Sequence, residues 1–356
     1  MENSLSQAEQ QQYSRHLLMD AIGIKGQLAL KNAKVLVLGA GGLGCPVLQY
    51  LAAAGVGTLG ILDDDTVDQT NLQRQVLYTH EDIGKPKALV AKTKLQGLNP
   101  FISLNAIQER LTIKNALELF KVYDIIIDCT DNFPTRYLAN DAAIISNKPL
   151  VYGAIFKFEG QVSVFNYEDG PSYRCIFPDP PAAGSVPNCS EIGVLGVLPG
   201  IIGSFQANEA IKMICGIGET LSGKLLTFDA LTMQSQAFSF SKTVEANIVS
   251  FQEDYEVFCG LPKAVEELSF DGLEQLNQPY SLLDVRTYEE REIHHIGGIH
   301  IPLDEITARA NQLPKNETLV VYCKSGMRSL KAIGLLQDLG AKNTLINLKN
   351  GLPINL

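Results

Sequence analysis

Residues 33–38 (A-K-V-L-V-L) form a short apolar run that ends in glycines. The stretch Leu43–Ala54 carries helical spacing, and Leu59–Leu62 is a second apolar run closed by three aspartates, Asp63–Asp65. Short apolar runs bounded by turn residues predict buried strands, so these segments predict a β-α-β unit. A further strand, Tyr123–Asp128 (Y-D-I-I-I-D), follows a helical stretch around Ile113–Phe120. Alternation of this kind predicts an α/β fold with a Rossmann-like, doubly wound, mainly parallel sheet. From Val151 to Tyr167 the pattern turns strand-like with turn residues, as in an antiparallel extension. Proline and glycine thicken between Pro171 and Pro187, which predicts a surface loop crossing the active face. Periodicity fades between Thr243 and Leu261, and a second α/β pattern then begins. Tyr280–Arg286, Leu319–Tyr322 and Thr344–Asn347 predict parallel strands, and Ser329–Leu339 a helix. The expected organisation is one domain over 1–242, a linker over 243–265 and a smaller α/β domain over 266–356.

Length and composition agree with two soluble domains: 356 residues, 46% hydrophobic and 19% charged. A formal net charge of -10 argues against nucleic acid as the main partner, because phosphate contacts need clustered lysine and arginine. Residues 1–20 include Glu2, Glu9, Arg15 and Asp20 with no apolar core, so no signal peptide is expected. The most apolar run, Ile192–Phe205, is broken by Gly193, Gly196, Pro199 and Gly200, which predicts a buried helix or loop and no membrane span. Seven scattered cysteines do not form a disulfide framework, and a reducing cytoplasm is the expected compartment.

Gly39, Gly41 and Gly44 match G-x-G-x-x-G between a strand and a helix, with Gly42 in the same loop. Such glycines allow a tight turn and close backbone approach, and the helix N-terminus offers N–H groups to an anion. Asp63, closing the second strand, stands where a carboxylate bonds ribose hydroxyls. Alone, this set first predicts an NAD-binding unit. Three neighbours change that expectation: Asn71 and Arg74 in N-L-Q-R-Q, Lys85 and Lys87 in G-K-P-K, and Asp131 and Asn132 in D-C-T-D-N. Fixed cations together with a carboxylate suit a triphosphate with Mg²⁺ better than a dinucleotide.

From Tyr13 to about Phe240 the chain resembles the MoeB and ThiF adenylyltransferases of molybdopterin and thiamine biosynthesis, relatives of ubiquitin-activating enzymes. The resemblance rests on Y-S-R-H at Tyr13–His16, G-A-G-G-L-G-C-P at Gly39–Pro46 and D-D-D-T-V-D-Q-T-N-L-Q-R-Q at Asp63–Gln75. The G-K-P-K and D-C-T-D-N stretches follow in the same order. It implies a homodimer that adenylates the C-terminal glycine of a ubiquitin-like sulfur carrier. Asp63 would bind ribose, Asn71, Arg74 and Lys87 the phosphates, and Asp131 the Mg²⁺. Arg15 would reach the neighbouring subunit's site as an arginine finger; without the resemblance it reads as a solvated helix charge. Cys189, in V-P-N-C-S-E-I-G, is the family's candidate for covalent linkage to the activated carrier, against the alternative of a small apolar residue. Family members commonly hold zinc with two C-x-x-C pairs, but here those positions read S-Y-R-C (Ser172–Cys175) and E-V-F-C (Glu256–Cys259). Two thiolates fall short of a closed four-ligand site, so no structural zinc is expected on Cys175 and Cys259.

From roughly Ser269 the chain resembles a rhodanese domain, through L-D-V-R at Leu283–Arg286, H-H-I-G-G-I-H-I-P at His294–Pro302 and C-K-S-G-M-R-S at Cys323–Ser329. The cysteine closes a strand and its loop leads into a helix, so backbone N–H groups would point at the sulfur. Arg328 and the helix dipole would add positive potential and stabilise a persulfide anion. A cysteine phosphatase has five residues between its Cys and Arg; only Lys324, Ser325, Gly326 and Met327 stand here, which suits a sulfur atom better than a phosphate. The family domain usually runs further than Leu356, so a terminal helix is expected to be absent. The joint expectation is ATP- and Mg²⁺-dependent carrier adenylation followed by sulfur transfer from a Cys323 persulfide, with a cysteine desulfurase or similar donor as partner. The rivals are a ubiquitin-activating-like enzyme with a Cys189 thioester, and a nucleotide-responsive scaffold without catalysis.

Overall fold

The computed structural model of the protein describes residues 4–181, 193–261, 265–276 and 278–352. The chain divides into two compact units, Met1–Cys259 and Gly260–Leu356.

In the first unit β1 (Lys34–Leu38), β2 (Thr58–Leu62), β3 (Ser103–Ile107), β4 (Ile125–Asp128) and β5 (Leu150–Phe156) pair in parallel. β6 (Glu159–Phe165), β7 (Lys224–Asp229) and β8 (Gln234–Ser239) continue the sheet antiparallel, in the order β3-β2-β1-β4-β5-β6-β7-β8. β1 shows why its sequence is an unbroken apolar run. Val35 and Val37 belong to the core shared with the helix Gly44–Ala54, while Leu36 and Leu38 belong to the opposite core with Phe120 and Tyr137. Helices cover both faces of such a sheet, so neither face tolerates alternation with polar residues. The chain runs from β1 outward to β2 and β3, then returns to β4 on the other side of β1. That reversal opens a crevice at the carboxyl ends of β1 and β4, the place where open α/β sheets bind ligands.

The apolar run, described from Gly193, enters a helix, Leu198–Cys215, that packs into the β1 core. Among the described residues no helix is long and apolar enough to cross a membrane. The stretch expected as a linker from 243 onward belongs, as far as Cys259, to the first unit. Tyr255 and Cys259 are buried in the core around Tyr137, and the Tyr255 hydroxyl donates to Asp141 Oδ2 at 2.7 Å. Asp141 is fully buried and also accepts from Arg174 Nε and Nη2 at 2.7 and 2.8 Å. The Arg174 guanidinium lies over the rings of Tyr137 and Phe258. Three segments distant in sequence are thus clamped by one satisfied buried charge pair, of which either partner would be costly to remove.

The second unit has β9 (Glu266–Leu268), β10 (Tyr280–Asp284), β11 (Ile299–His300), β12 (Thr318–Tyr322) and β13 (Thr344–Leu348), all parallel, in the order β11-β10-β12-β13-β9. β12 lies at the centre. Leu319 and Val321 pack against Ala332, Ile333 and Leu336 of the helix Met327–Asp338, and Val320 and Tyr322 pack on the other face. Cys323 therefore sits where a central parallel strand gives way to a loop and helix.

Candidate functional site

The glycine loop follows β1 directly into the crevice. Gly39 has φ +89°, and a Cβ there would stand 3.0 Å from the Cys129 carbonyl oxygen of the turn after β4. A Cβ on Gly44 would lie 2.0 Å from the Gly39 carbonyl oxygen, so only glycine lets the helix begin this close to the strand. No side chain caps the helix Gly44–Ala54, which leaves its N-terminal dipole for an anion. Asp63 locks the loop to β2: its Oδ2 accepts from Ala40 N at 2.7 Å and its Oδ1 from Asp65 N at 2.9 Å. Burial raises the Asp63 pKa, a rise that the Ala40 N–H and nearby Lys87 oppose.

The segment after β2 folds back over this loop. The Arg74 side chain borders Gly42, with its Nη1 donating to the Thr70 carbonyl at 3.1 Å. Gln75 is buried against Gly41, and its Oε1 has no hydrogen-bond partner among the described residues. Asn71 Oδ1 accepts from Asp68 N and so shapes the short turn that carries Arg74. Lys87 opens the helix Lys87–Leu98, is 5% exposed, and reaches Asp65 Oδ2 at 2.8 Å. Asp65 is thus a charge partner that motif spacing did not single out.

The third side is the turn after β4. Asp128 is fully buried, and its Oδ1 accepts from Thr130 N (2.9 Å) and Thr130 Oγ1 (2.6 Å). Gln206 Nε2 donates to the Asp128 carbonyl at 2.7 Å, and Arg136 Nη2 to that of Thr130 at 3.1 Å. This bracing leaves Asp131 exposed at the rim. Asn132 is used locally, as the N-cap of the helix Phe133–Ile145, accepting from Thr135 N at 3.0 Å. Arg15 is exposed on the short helix Ser14–Leu17. The role the resemblance gives it needs a second copy of the chain.

Among the cysteines of this unit, burial pushes the Cys45 thiol up to about 12 and raises Cys129 and Cys215 as well, which makes them packing groups. Cys189 lies outside the described residues. Cys175 Sγ accepts from Ser172 N (3.3 Å) and Thr243 N (3.4 Å), whereas burial raises Cys259 to about 11. Glu256 faces Arg110 at 3.6 Å. Among the described residues no three His, Cys, Asp or Glu side chains gather as metal ligands, and this set does not fit a closed tetrahedral zinc site.

In the second unit Cys323 is fully buried at the base of its loop. Gly326 N donates to its sulfur at 3.1 Å, and Ser329 Oγ lies 3.4 Å away. Ser329 is itself fixed by Asn347 Oδ1 at 2.6 Å. Burial raises the Cys323 pKa, but hydrogen bonds from Ser329 and from the Ser325 and Arg328 backbone outweigh it, and the thiol ends below its ordinary value. The Arg328 guanidinium is placed otherwise than the sequence suggests. Its Nη1 and Nη2 donate to the two carboxylate oxygens of Glu290 at 2.6 and 2.8 Å, so its charge is matched by a carboxylate. Asp284 and Arg286 form a buried pair (2.9 and 2.7 Å) that also holds the His294 carbonyl at 2.7 Å.

A crevice at a sheet reversal and a hydrogen-bonded thiol of lowered pKa in a C-x-x-G-x-R loop define an adenylyltransferase joined to a sulfurtransferase. The chain belongs to the ThiF family, whose model matches residues 13–247, and a rhodanese-like domain matches residues 265–353. It is 43% identical to the probable adenylyltransferase/sulfurtransferase MoeZ of Mycobacterium tuberculosis, over 98% of this chain and 93% of the relative. It is 50% identical to the sulfur carrier protein adenylyltransferase of Thermus thermophilus, over 71% of this chain and 97% of that protein. Among solved structures, E. coli MccB with ATP superposes with a TM-score of 0.57 at 25% identity, covering 67% of this chain and 74% of that one.

Proposed function

We propose that this enzyme adenylates the C-terminal glycine of a ubiquitin-like sulfur carrier protein and then converts it to a thiocarboxylate with sulfur held on Cys323. The observation that carries this is the Arg74 side chain beside Gly42 of the glycine loop, with Lys87 paired to Asp65 just past β2 and Asp131 exposed in the turn after β4, whose Cys129 carbonyl abuts Gly39. The carrier carboxylate attacks the α-phosphate of ATP in line and pyrophosphate leaves. Negative charge grows on the transferring group, where Arg74, Lys87 and the helix N-terminus would stabilise it without reorganisation. Asp63 would hold the ribose, and Asn71 and Asn132 would line the nucleotide through the turns they shape. Arg15 would complete the site from the partner in a homodimer. Mg²⁺ fits the exposed Asp131 carboxylate, a hard oxygen ligand at the crevice mouth, and would supply charge neutralisation to the phosphates.

The Cys323 persulfide attacks the acyl-adenylate carbonyl, the C–O bond to AMP breaks, and AMP leaves while an acyl disulfide forms between the carrier and Cys323. A thiol then cleaves that disulfide, releasing the thiocarboxylate and leaving a mixed disulfide for an external reductant. Cys189 is the candidate resolving thiol, and a persulfide-bearing desulfurase the candidate donor. Zinc has no part in this reading: the Arg174–Asp141–Tyr255 clamp holds the segments that paired thiolates would otherwise join. Elemental analysis of the purified protein is expected to find no zinc. One zinc per chain, lost on replacing Cys175 and Cys259, would refute that. For the activity, ATP–pyrophosphate exchange is expected only with a carrier bearing its C-terminal glycine. Exchange without carrier, or none with it, would sink the proposal in favour of another adenylyl acceptor or of a scaffold.

A further inference from the structure

The surroundings of Cys323 contain several arginines, and each is held by a carboxylate. Arg286 donates twice to Asp284, and Arg291 donates to Asp284 at 3.4 Å and to the Gly298 carbonyl at 2.9 Å. Arg328, inside the loop itself, grips both oxygens of Glu290. Glu290 is fixed for this task, since Oε2 also accepts from Thr287 N at 3.1 Å and closes the capping box of the short helix Tyr288–Ile293. The remaining loop cation, Lys324, is exposed on a flexible stem and offers no planar fork. The sulfur accepts instead from a neutral donor, the Gly326 N–H, with the Ser329 hydroxyl oxygen 3.4 Å away.

Two donor classes could load such a thiol. A persulfide, R–S–SH, presents an outer sulfur with no oxyanion beside it. The Cys323 thiolate attacks that sulfur, the S–S bond breaks, and its electron pair leaves with R–S⁻, which takes a proton to become the thiol. Thiosulfate presents a sulfonate directly on the attacked sulfur, and the same displacement expels sulfite. Only the second requires a fixed cation to bind oxygens next to the reacting atom, and bidentate arginine is the group suited to it.

We propose that Glu290 is a specificity-determining residue of the Cys323 site: by occupying the Arg328 fork it directs the loop to persulfide donors and away from thiosulfate. The proposal rests on Cys323 being the sulfur-carrying residue. The full-length protein would be loaded with glutathione persulfide or with thiosulfate, and the rate of Cys323 persulfide formation read by mass spectrometry. In Glu290→Gln the cap acceptor is kept and the charge removed. The thiosulfate-to-persulfide rate ratio is expected to rise about ten-fold or more, the scale of a charge-assisted hydrogen bond. Glu290→Ala, which removes the last acceptor, is expected to enlarge that gain. A change in thiol nucleophilicity would move both rates together, so the ratio isolates recognition of the donor. In Glu290→Gln/Arg328→Ala the gain is expected to vanish, because it runs through the guanidinium. A ratio unchanged in both single variants, or a gain that persists without Arg328, would overturn the proposal alone. No persulfide from either donor in the unaltered protein would overturn the Cys323 assignment and this proposal with it.

Discussion

Replacing Lys87 with methionine is expected to lower carrier-dependent ATP–pyrophosphate exchange by about 10²–10³-fold, the scale of one preorganised group removed from a developing charge. The structure separates this loss from a folding defect. The Lys87 stem is buried where methionine of similar length can replace it, and Asp65, its partner, is 72% exposed and rehydrates once unpaired. The fall should appear in kcat more than in KM for ATP, because the ammonium meets most of its charge only as pyrophosphate departs. Asp65→Asn is the informative control. It releases the ammonium without removing it, so exchange should stay near the unaltered rate. A loss confined to KM in Lys87→Met, or an equal loss in Asp65→Asn, would assign Lys87 to shaping the crevice and not to charge stabilisation.

Where the sequence could be read, the physics was local. Lys34–Leu38 and Ile125–Asp128 are buried on both faces, so their apolar runs announce themselves; the glycines between β1 and its helix answer to clashes within one turn. β3 and β8 escaped because one buries only Leu104 completely and the other has every residue exposed, leaving no period to detect. The side chains that complete the sites were hidden by distance. Gln206 reaches the Asp128 carbonyl 78 residues away, and Glu290 meets Arg328 across 38. The sequence shows Arg328 beside Cys323 as a free cation, and nothing in its spacing tells that a carboxylate on another helix holds it. Tyr255 and Cys259 are buried at a spacing that no strand or long helix repeats, with Phe251 and Phe258 packed beside them, and the stretch is tied to the core through Asp141, 114 residues from Tyr255. A third case is Asn132, which spacing places among ligand groups while its side-chain Oδ1 caps the helix that follows.

Cys323→Ser is expected to abolish persulfide formation and thiocarboxylate production from either donor class, leaving carrier-dependent pyrophosphate exchange unchanged. Serine matches the cysteine in shape but its oxygen cannot carry a sulfane sulfur, and Cys323 lies in a compact unit other than the one that holds the glycine loop. Carrier adenylate should therefore accumulate or hydrolyse, and AMP release should become uncoupled from sulfur transfer. The alkylation rate of the unaltered thiol adds a second measure. Below its pKa a thiol is protonated and slow, so the iodoacetamide rate should reach half its plateau at a pH below the ordinary thiol midpoint, as the hydrogen bonds to Cys323 require. Ser329→Ala removes the hydroxyl that lies 3.4 Å from the sulfur, and the midpoint should move upward. Asn347→Leu tests the next link. With Asn347 Oδ1 gone, the Ser329 hydroxyl loses its 2.6 Å acceptor and is left to donate to the sulfur or to the Gly326 carbonyl, so the midpoint should move down or stay. An upward move in Asn347→Leu together with loss of persulfide would mean that Asn347 holds the loop's shape. Thiocarboxylate still formed by Cys323→Ser would move the sulfur chemistry to another residue altogether.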